Sequence, residues 1–147
     1  QCLEATIALK QRAVMLVGDR VNLPQDVPPE IFVCGYAPHS ELFPKAKSIV
    51  HHGGAGTTGQ AMRAGKPMLV VPFSHDQPDN AARLERLGVA SRLMRRRFST
   101  ARAIKELRHL LETPSYTKQA ERMGNEVRRE NGPANAANVI EAALEGN

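Results

Sequence analysis

The chain has 147 residues, one domain's worth, with enough length for a real core. Its 41% hydrophobic and 24% charged residues fit a globular protein, no apolar run is long enough to span a bilayer, and the N-terminus does not read as a signal peptide. A net charge of +5 favours anionic partners, but only 4% of residues are aromatic, and the densest basic cluster, Arg95-Arg96-Arg97, has no stacking residues beside it; it reads as a solvated surface rather than a nucleic-acid platform.

In chain order, LEATIALK at residues 3–10 predicts a helix. The apolar run from Ala13 to Val17, ended by Gly18, predicts a buried parallel strand. Residues 19–30 carry three prolines and predict a loop. IFVCG (31–35), SIVHH (48–52), MLVVP (68–72) and VASRLM (89–94) predict four further strands. Between them, PDNAARLERLG places Pro78 and Asp79 in a helix's first turn and stops it at Gly88, with Ala81, Leu84 and Leu87 as its apolar stripe. After residue 98 the strands end. Ser99 suits the cap of a helix buried through Ile104, Leu107 and Leu111 and closed by Pro114. Tyr116, Ala120, Met123 and Val127 are spaced for a second helix. Asn131-Gly132-Pro133 breaks the chain before a last helix through Ile140 and Leu144. Alternating strands and helices predict βαβ units around a mainly parallel sheet, whose ligands bind beyond the carboxyl ends of the strands.

Cys2 and Cys34 make no CxxC pair, so free thiols in a reducing cytosol are the simplest expectation and a single disulfide is the alternative. The first residue is Gln1 rather than Met, which suggests an excised piece of a longer protein.

The most informative corner follows the strand at 48–52. Gly53, Gly54 and Gly56 lead into a helix expected near Thr57. Glycines allow a sharp turn and close approach of a ligand, and the helix supplies unpaired N–H groups at the positive end of its dipole. That combination suits a phosphate or diphosphate. No Lys follows the glycines and the spacing is not GxGxxG, so neither common nucleotide loop applies. A metal fits poorly: His51 and His52 are neighbours on a strand and point to opposite faces, with no Cys, Asp or Glu at ligand spacing. A histidine beside a diphosphate can donate to a charged oxygen; a satisfied buried histidine is the plain alternative for His52. Thr57-x-x-Gln60 also matches a capping box, which needs no ligand.

HHGGAGTTGQAMRAGKPMLVVPFSHDQPDNAARLERLG, residues 51–88, closely resembles the donor-binding signature of GT-B glycosyltransferases of the nucleotide-sugar-dependent, inverting type, which include plant and bacterial small-molecule, sterol and antibiotic glycosyltransferases. The likeness carries clear motifs over roughly residues 30–95 and continues elsewhere in helix order only. It implies an α/β fold, a Rossmann-like parallel sheet flanked by helices, forming the C-terminal domain of a GT-B enzyme. Residues 1–147 would then be the donor-binding domain, a fragment without the N-terminal acceptor domain, with the family's opening strand and its Gly-Ser turn ahead of Gln1.

Position by position, the resemblance implies that His52, Gly53, Gly54, Gly56, Thr57 and Thr58 hold the donor diphosphate. Gln60 falls where the family often has a ribose-binding Glu, and being neutral it puts that contact and the donor preference in question. Asp76 and Gln77 fall on the pair that grips the sugar hydroxyls, a sensible clamp because a carboxylate accepts from two adjacent hydroxyls. The alternative for Asp76 is a helix N-cap ahead of Pro78. Tyr36, with Ala37 beside it, falls where an aromatic stacks on the base; otherwise Tyr36 is a plain surface residue. No catalytic residue is expected in this chain, because the general base belongs to the absent domain. The resemblance further implies a UDP- or dTDP-sugar as co-substrate, no metal, a small-molecule or lipid acceptor, no nucleic acid, no transmembrane segment and a cytoplasmic location. Two rivals share much of this pattern: a GT-B nucleotide-sugar epimerase, which should lack the Asp-Gln pair, and a non-catalytic nucleotide-sugar binding module.

Overall fold

The computed structural model describes residues 1–18 and 26–145. Helix α1 (Cys2–Ala8) precedes β1 (Ala13–Leu16) and β2 (Ile31–Cys34). A short helix α2 (His39–Leu42) and a 3-10 turn (Phe43–Lys45) lead to β3 (Ile49–His51), α3 (Ala55–Ala64), β4 (Met68–Val70), α4 (Gln77–Arg86) and β5 (Ala90–Arg92). A 3-10 turn of three arginines (Arg95–Arg97) then opens an all-helical end: α5 (Thr100–Glu112), α6 (Pro114–Arg129) and α7 (Gly132–Glu145). Every expected strand forms, each a residue or more shorter than its apolar run. The loop expected at 19–30 lies outside the described residues over 19–25; residues 26–28 are irregular and 29–30 make a turn.

All strand pairings are parallel, and they fall into two ladders, β1–β2 and β3–β4–β5. Residues of β4 are fully buried, as the centre of a parallel sheet demands. Alternation along it builds two cores. Met68 and Val70 face Phe43, Ile49, Ala61, Ala81, Leu84 and Ala120. Leu69 and Val71 face Ala5, Leu93, Ala103, Leu107 and Leu110. Helices therefore cover both faces, α3 and α4 on one and α1 and α5 on the other.

Ser99 caps α5 as expected: its Oγ accepts from the Arg102 N–H at 3.4 Å. The buried stripe of α5 runs through Ala103, Leu107 and Leu110, while Leu111 is only half-buried. Positions i, i+4 and i+7 lie at the centre of one helix face, and Leu111, at i+8, sits at its edge. On α6 the buried positions are Ala120 and Gly124, with Met123 packed against the core. Gly124 lies so close to the end of α3 that a Cβ there would sit 2.7 Å from Gly65 Cα and 3.0 Å from the Met62 carbonyl oxygen. The Arg128 guanidinium donates to the Arg63 carbonyl across this seam. Helix α7 contributes no buried residue, and Val139, Ile140 and Leu144 are all exposed.

Candidate functional site

Strand β3 delivers two histidines in opposite directions. His51 is buried, and its Nδ1 accepts from the Gly53 backbone N–H at 3.1 Å. Burial first, then the neighbouring His52 and His39, lower its pKa to about 4, so the ring is neutral at physiological pH. With Nδ1 accepting, the proton sits on Nε2, which is buried without a hydrogen-bond partner among the described residues. His52 is exposed. Its ring lies over Gly54, where a Cβ would come within 2.6 Å of His52 Nε2. A side chain at residue 54 would therefore have to displace the exposed imidazole.

Gly53 adopts φ 94, and a Cβ there would meet Val70 Cγ1 at 3.0 Å and the Gln77 carbonyl oxygen at 3.2 Å. The turn brings α3 in two residues earlier than expected, at Ala55, with Gly54 at the N-cap and no side-chain cap. Gly56 consequently lies inside the first helical turn. Thr57 cannot be an N-cap, so the capping-box alternative for Gln60 does not form; Gln60 is exposed on the helix. The first N–H groups of α3 keep their capacity for an anion. Thr58 Oγ1 is buried there with no hydrogen-bond partner among the described residues.

The next strand carries the second element. Beyond β4 the chain makes a tight loop over residues 73–76, organised by Gln77. Its Oε1 accepts from the backbone N–H of Phe73 at 2.9 Å and of Ser74 at 3.2 Å. The Gln77 amide N–H₂ takes no part in that arrangement and keeps its donor capacity. His75 takes a left-handed backbone, φ 57, next to Asp76. Asp76 stands at the N-cap position of α4, yet its own backbone is helical (φ −73, ψ −14) and its side chain caps no N–H. Its Oδ2 accepts instead from Asn80 Nδ2 at 2.8 Å. Asn80 Nδ2 also donates to the Gly53 carbonyl at 2.9 Å. The glycine corner and the Asp76 loop are therefore tied directly together. Asn80 was missed in the sequence; its signal is a poor helix former in the first turn of α4, four residues after an aspartate.

The remaining candidates lie at neighbouring strand ends. Tyr36 is 80% exposed beyond β2, and Ala37 beside it is half-buried. Helix α2, which starts three residues after Tyr36, packs on α3. The arginine cluster follows β5 and is exposed, with the Arg95 guanidinium 4.8 Å above the Phe73 ring. Among the described residues no group of three His, Cys, Asp or Glu side chains is placed to hold a metal. Cys2 and Cys34 are both free thiols.

A parallel sheet covered on both faces, with a glycine corner and a carboxylate loop at the carboxyl ends of adjacent strands, makes a Rossmann-like α/β domain. The chain belongs to the family of Erythromycin biosynthesis protein CIII-like C-terminal domains, which it matches over residues 3–143. It is 39% identical over 121 residues to a sterol 3-beta-glucosyltransferase of Vanderwaltozyma polyspora, covering 82% of this chain and 10% of that protein. In structure it is similar to the glycotransferase of kitacinnamycin, with a TM-score of 0.86 and 28% identity over 96% of this chain and 37% of that one. It is also similar to the glycosyltransferase VinC in complex with dTDP, with a TM-score of 0.78 and 28% identity over 84% of this chain and 31% of that one. The chain thus spans a tenth of the sterol glucosyltransferase and about a third of the solved glycosyltransferases.

Proposed function

We propose that this chain is the donor-holding half of an inverting glycosyltransferase, which moves a hexose from a UDP- or dTDP-sugar to a hydroxyl of a small-molecule or lipid acceptor in the cytoplasm. The observation that carries the reading is the uncapped α3 N-terminus beside exposed His52, tied through Asn80 to the Asp76 loop. One loop suits a diphosphate and the other suits vicinal hydroxyls. The names of the relatives support the chemical class, and the dTDP bound to VinC supports a nucleotide diphosphate.

In this reading the diphosphate lies across the first turn of α3, held by backbone N–H groups, Thr57 and Thr58, with His52 donating to a phosphate oxygen. Asp76 and Gln77 take the sugar hydroxyls, Gln60 reaches the ribose, and Tyr36 stacks on the base with Ala37 at its edge. The acceptor oxygen attacks the anomeric carbon from the face opposite the diphosphate. The bond to the diphosphate oxygen breaks, and the hydroxyl proton passes to a base on the N-terminal domain. Charge building on the leaving diphosphate is met by the helix N–H groups and His52, so no metal is required.

Isothermal titration of UDP and dTDP, with and without EDTA, tests this. Binding of at least one nucleotide with the same affinity in both conditions is expected. A strict need for Mg²⁺ would remove the proposed charge neutralisation.

The two histidines give a second test. The His52→Ala protein should melt like wild type and bind the nucleotide diphosphate about 10- to 100-fold more weakly, the worth of a hydrogen bond to a charged group, roughly 1.5–3 kcal/mol. The His51→Ala protein should instead lose melting temperature, because it opens a hole in the core and frees the Gly53 N–H. Equal losses of affinity, in variants that both melt like wild type, would count against placing only His52 at the phosphates.

A further inference from the structure

The two substrate-facing loops come from different strands, and one side chain joins them. Asn80 Nδ2 reaches the Gly53 carbonyl, 27 residues away, at 2.9 Å, and Asp76 Oδ2 at 2.8 Å. Both partners are pure acceptors, so the amide must present its N–H₂ to them; the flipped rotamer would set an oxygen against a carbonyl and a carboxylate. Each amide proton has its own partner. Asn80 is itself fixed, half-buried in the first turn of α4, with its backbone N–H donating to the Asp76 carbonyl at 3.0 Å.

Gly53 has no freedom to drift from this partner. Its backbone has φ 94, Val70 and the Gln77 carbonyl leave no room for a side chain on it, and His51 Nδ1 holds its N–H. The contact with Asn80 therefore references the Asp76 carboxylate to the turn that opens α3. With Oδ2 engaged by Asn80, Asp76 Oδ1 makes no hydrogen bond among the described residues and keeps its lone pairs for an incoming hydroxyl.

We propose that Asn80 is a positioning residue, a latch that sets the distance and orientation of the sugar-holding carboxylate relative to the diphosphate corner. It touches neither the reacting carbon nor the leaving oxygen. It acts by keeping the two ends of a nucleotide-sugar, phosphate and hexose, in fixed register. This rests on the glycosyltransferase reading above. Displacing one end of a bound donor by as little as 1 Å can cost on the order of 100-fold in reactivity.

The test uses the full-length protein with UDP and UDP-glucose as probes, or dTDP and dTDP-glucose if dTDP is the tighter nucleotide. Affinities for both members of the pair are measured alongside melting temperature. Two variants are compared. Asn80→Asp keeps the shape, removes both donor protons and sets a carboxylate against Asp76. Asn80→Ala removes the link without adding charge. In both, affinity for the bare nucleotide should stay within about threefold of wild type. Affinity for the sugar nucleotide should fall by about 10-fold or more, and further in Asn80→Asp than in Asn80→Ala. An unchanged ratio of the two affinities in either variant overturns the latch. So does a loss of both affinities in step with melting temperature, or a variant that does not fold, since those mark a purely structural asparagine. A wild-type protein that binds neither nucleotide nor sugar nucleotide overturns the functional reading itself, whereas a wild type that binds both leaves that reading standing whatever the variants do.

Discussion

Asp76→Ala is expected to leave the full-length protein folded, with its melting temperature and UDP affinity near wild type, and to remove about 99% of its turnover with the natural sugar donor. The size follows from the chemistry of a carboxylate facing two hydroxyls. Each hydrogen bond to a charged group is worth about 1.5–3 kcal/mol, and losing two of them across the transition state gives roughly 100-fold or more. The competing account makes Asp76 a helix cap, whose loss costs about 0.5–2 kcal/mol of stability. The structure weakens that account, because the Asp76 backbone is already helical and its carboxylate bonds to the Asn80 side chain rather than to a free N–H. Asp76 is also exposed, so the amide it releases can turn to water. Melting temperature, UDP affinity and turnover measured together separate the two. Retained turnover in a folded variant would remove Asp76 from the site, and a fall in melting temperature with retained turnover would restore the cap.

Gly124→Val is expected to lower the melting temperature by roughly 5–10 °C. The new Cβ would stand 2.7 Å from Gly65 Cα and 3.0 Å from both Gly65 N and the Met62 carbonyl oxygen. These are backbone atoms, so no rotamer change relieves the overlap and the two helices must move apart. Overpacking of this kind costs about 1–3 kcal/mol, and here it also pulls the Arg128 guanidinium from the Arg63 carbonyl and loosens the buried Ala120. The helix-propensity gain from replacing glycine is only a few tenths of a kcal/mol for valine. In a domain of this size about 1 kcal/mol moves the midpoint by roughly 2–4 °C. A thermal melt decides the matter; a midpoint within a degree of wild type would mean that the seam between α3 and α6 is looser than the backbone distances imply. The seam would also bear on function at one remove, because α3 presents the proposed anion-binding turn at its other end.

Much of this arrangement could be read before any coordinates. Short apolar runs ended by Gly or Pro became strands, and the alternation of strands with amphipathic segments became a parallel sheet with helices on both faces. The opposed histidines were legible from the two-residue period of a strand: His51 is inside and His52 outside. The glycine corner was legible as a sharp turn into a helix, because glycines allow the backbone to bend there. Ser99 as the cap of α5 was legible because a cap needs only the next three residues.

What the sequence determined by itself was whatever a few adjacent residues decide: periodicity, turns, one cap, and a signature dense enough to mark the family. Tertiary structure decided the rest. Thr57 matched a capping box and Asp76 matched an N-cap, yet neither caps, because α3 already begins at Ala55 and the Asn80 amide claims the Asp76 carboxylate. Gly124, inside α6, is where that helix comes close to the end of α3, a contact no local pattern announces. Leu111 yielded its place in the core to Leu110 because the neighbours of α5 select which side of its stripe turns inward. Ile140 and Leu144 predict a last helix, but spacing does not say whether its apolar residues meet a partner, and here they, with Val139, are exposed. Asn80 is the clearest case: its bond to Asp76 spans only four residues, but its bond to the Gly53 carbonyl can be drawn only once β3 and β4 lie side by side, since nothing local links it to a glycine 27 residues earlier. Local rules act over the span of a helical turn or a strand pleat, whereas a site assembled from two loops exists only where the fold brings distant backbone within hydrogen-bond reach.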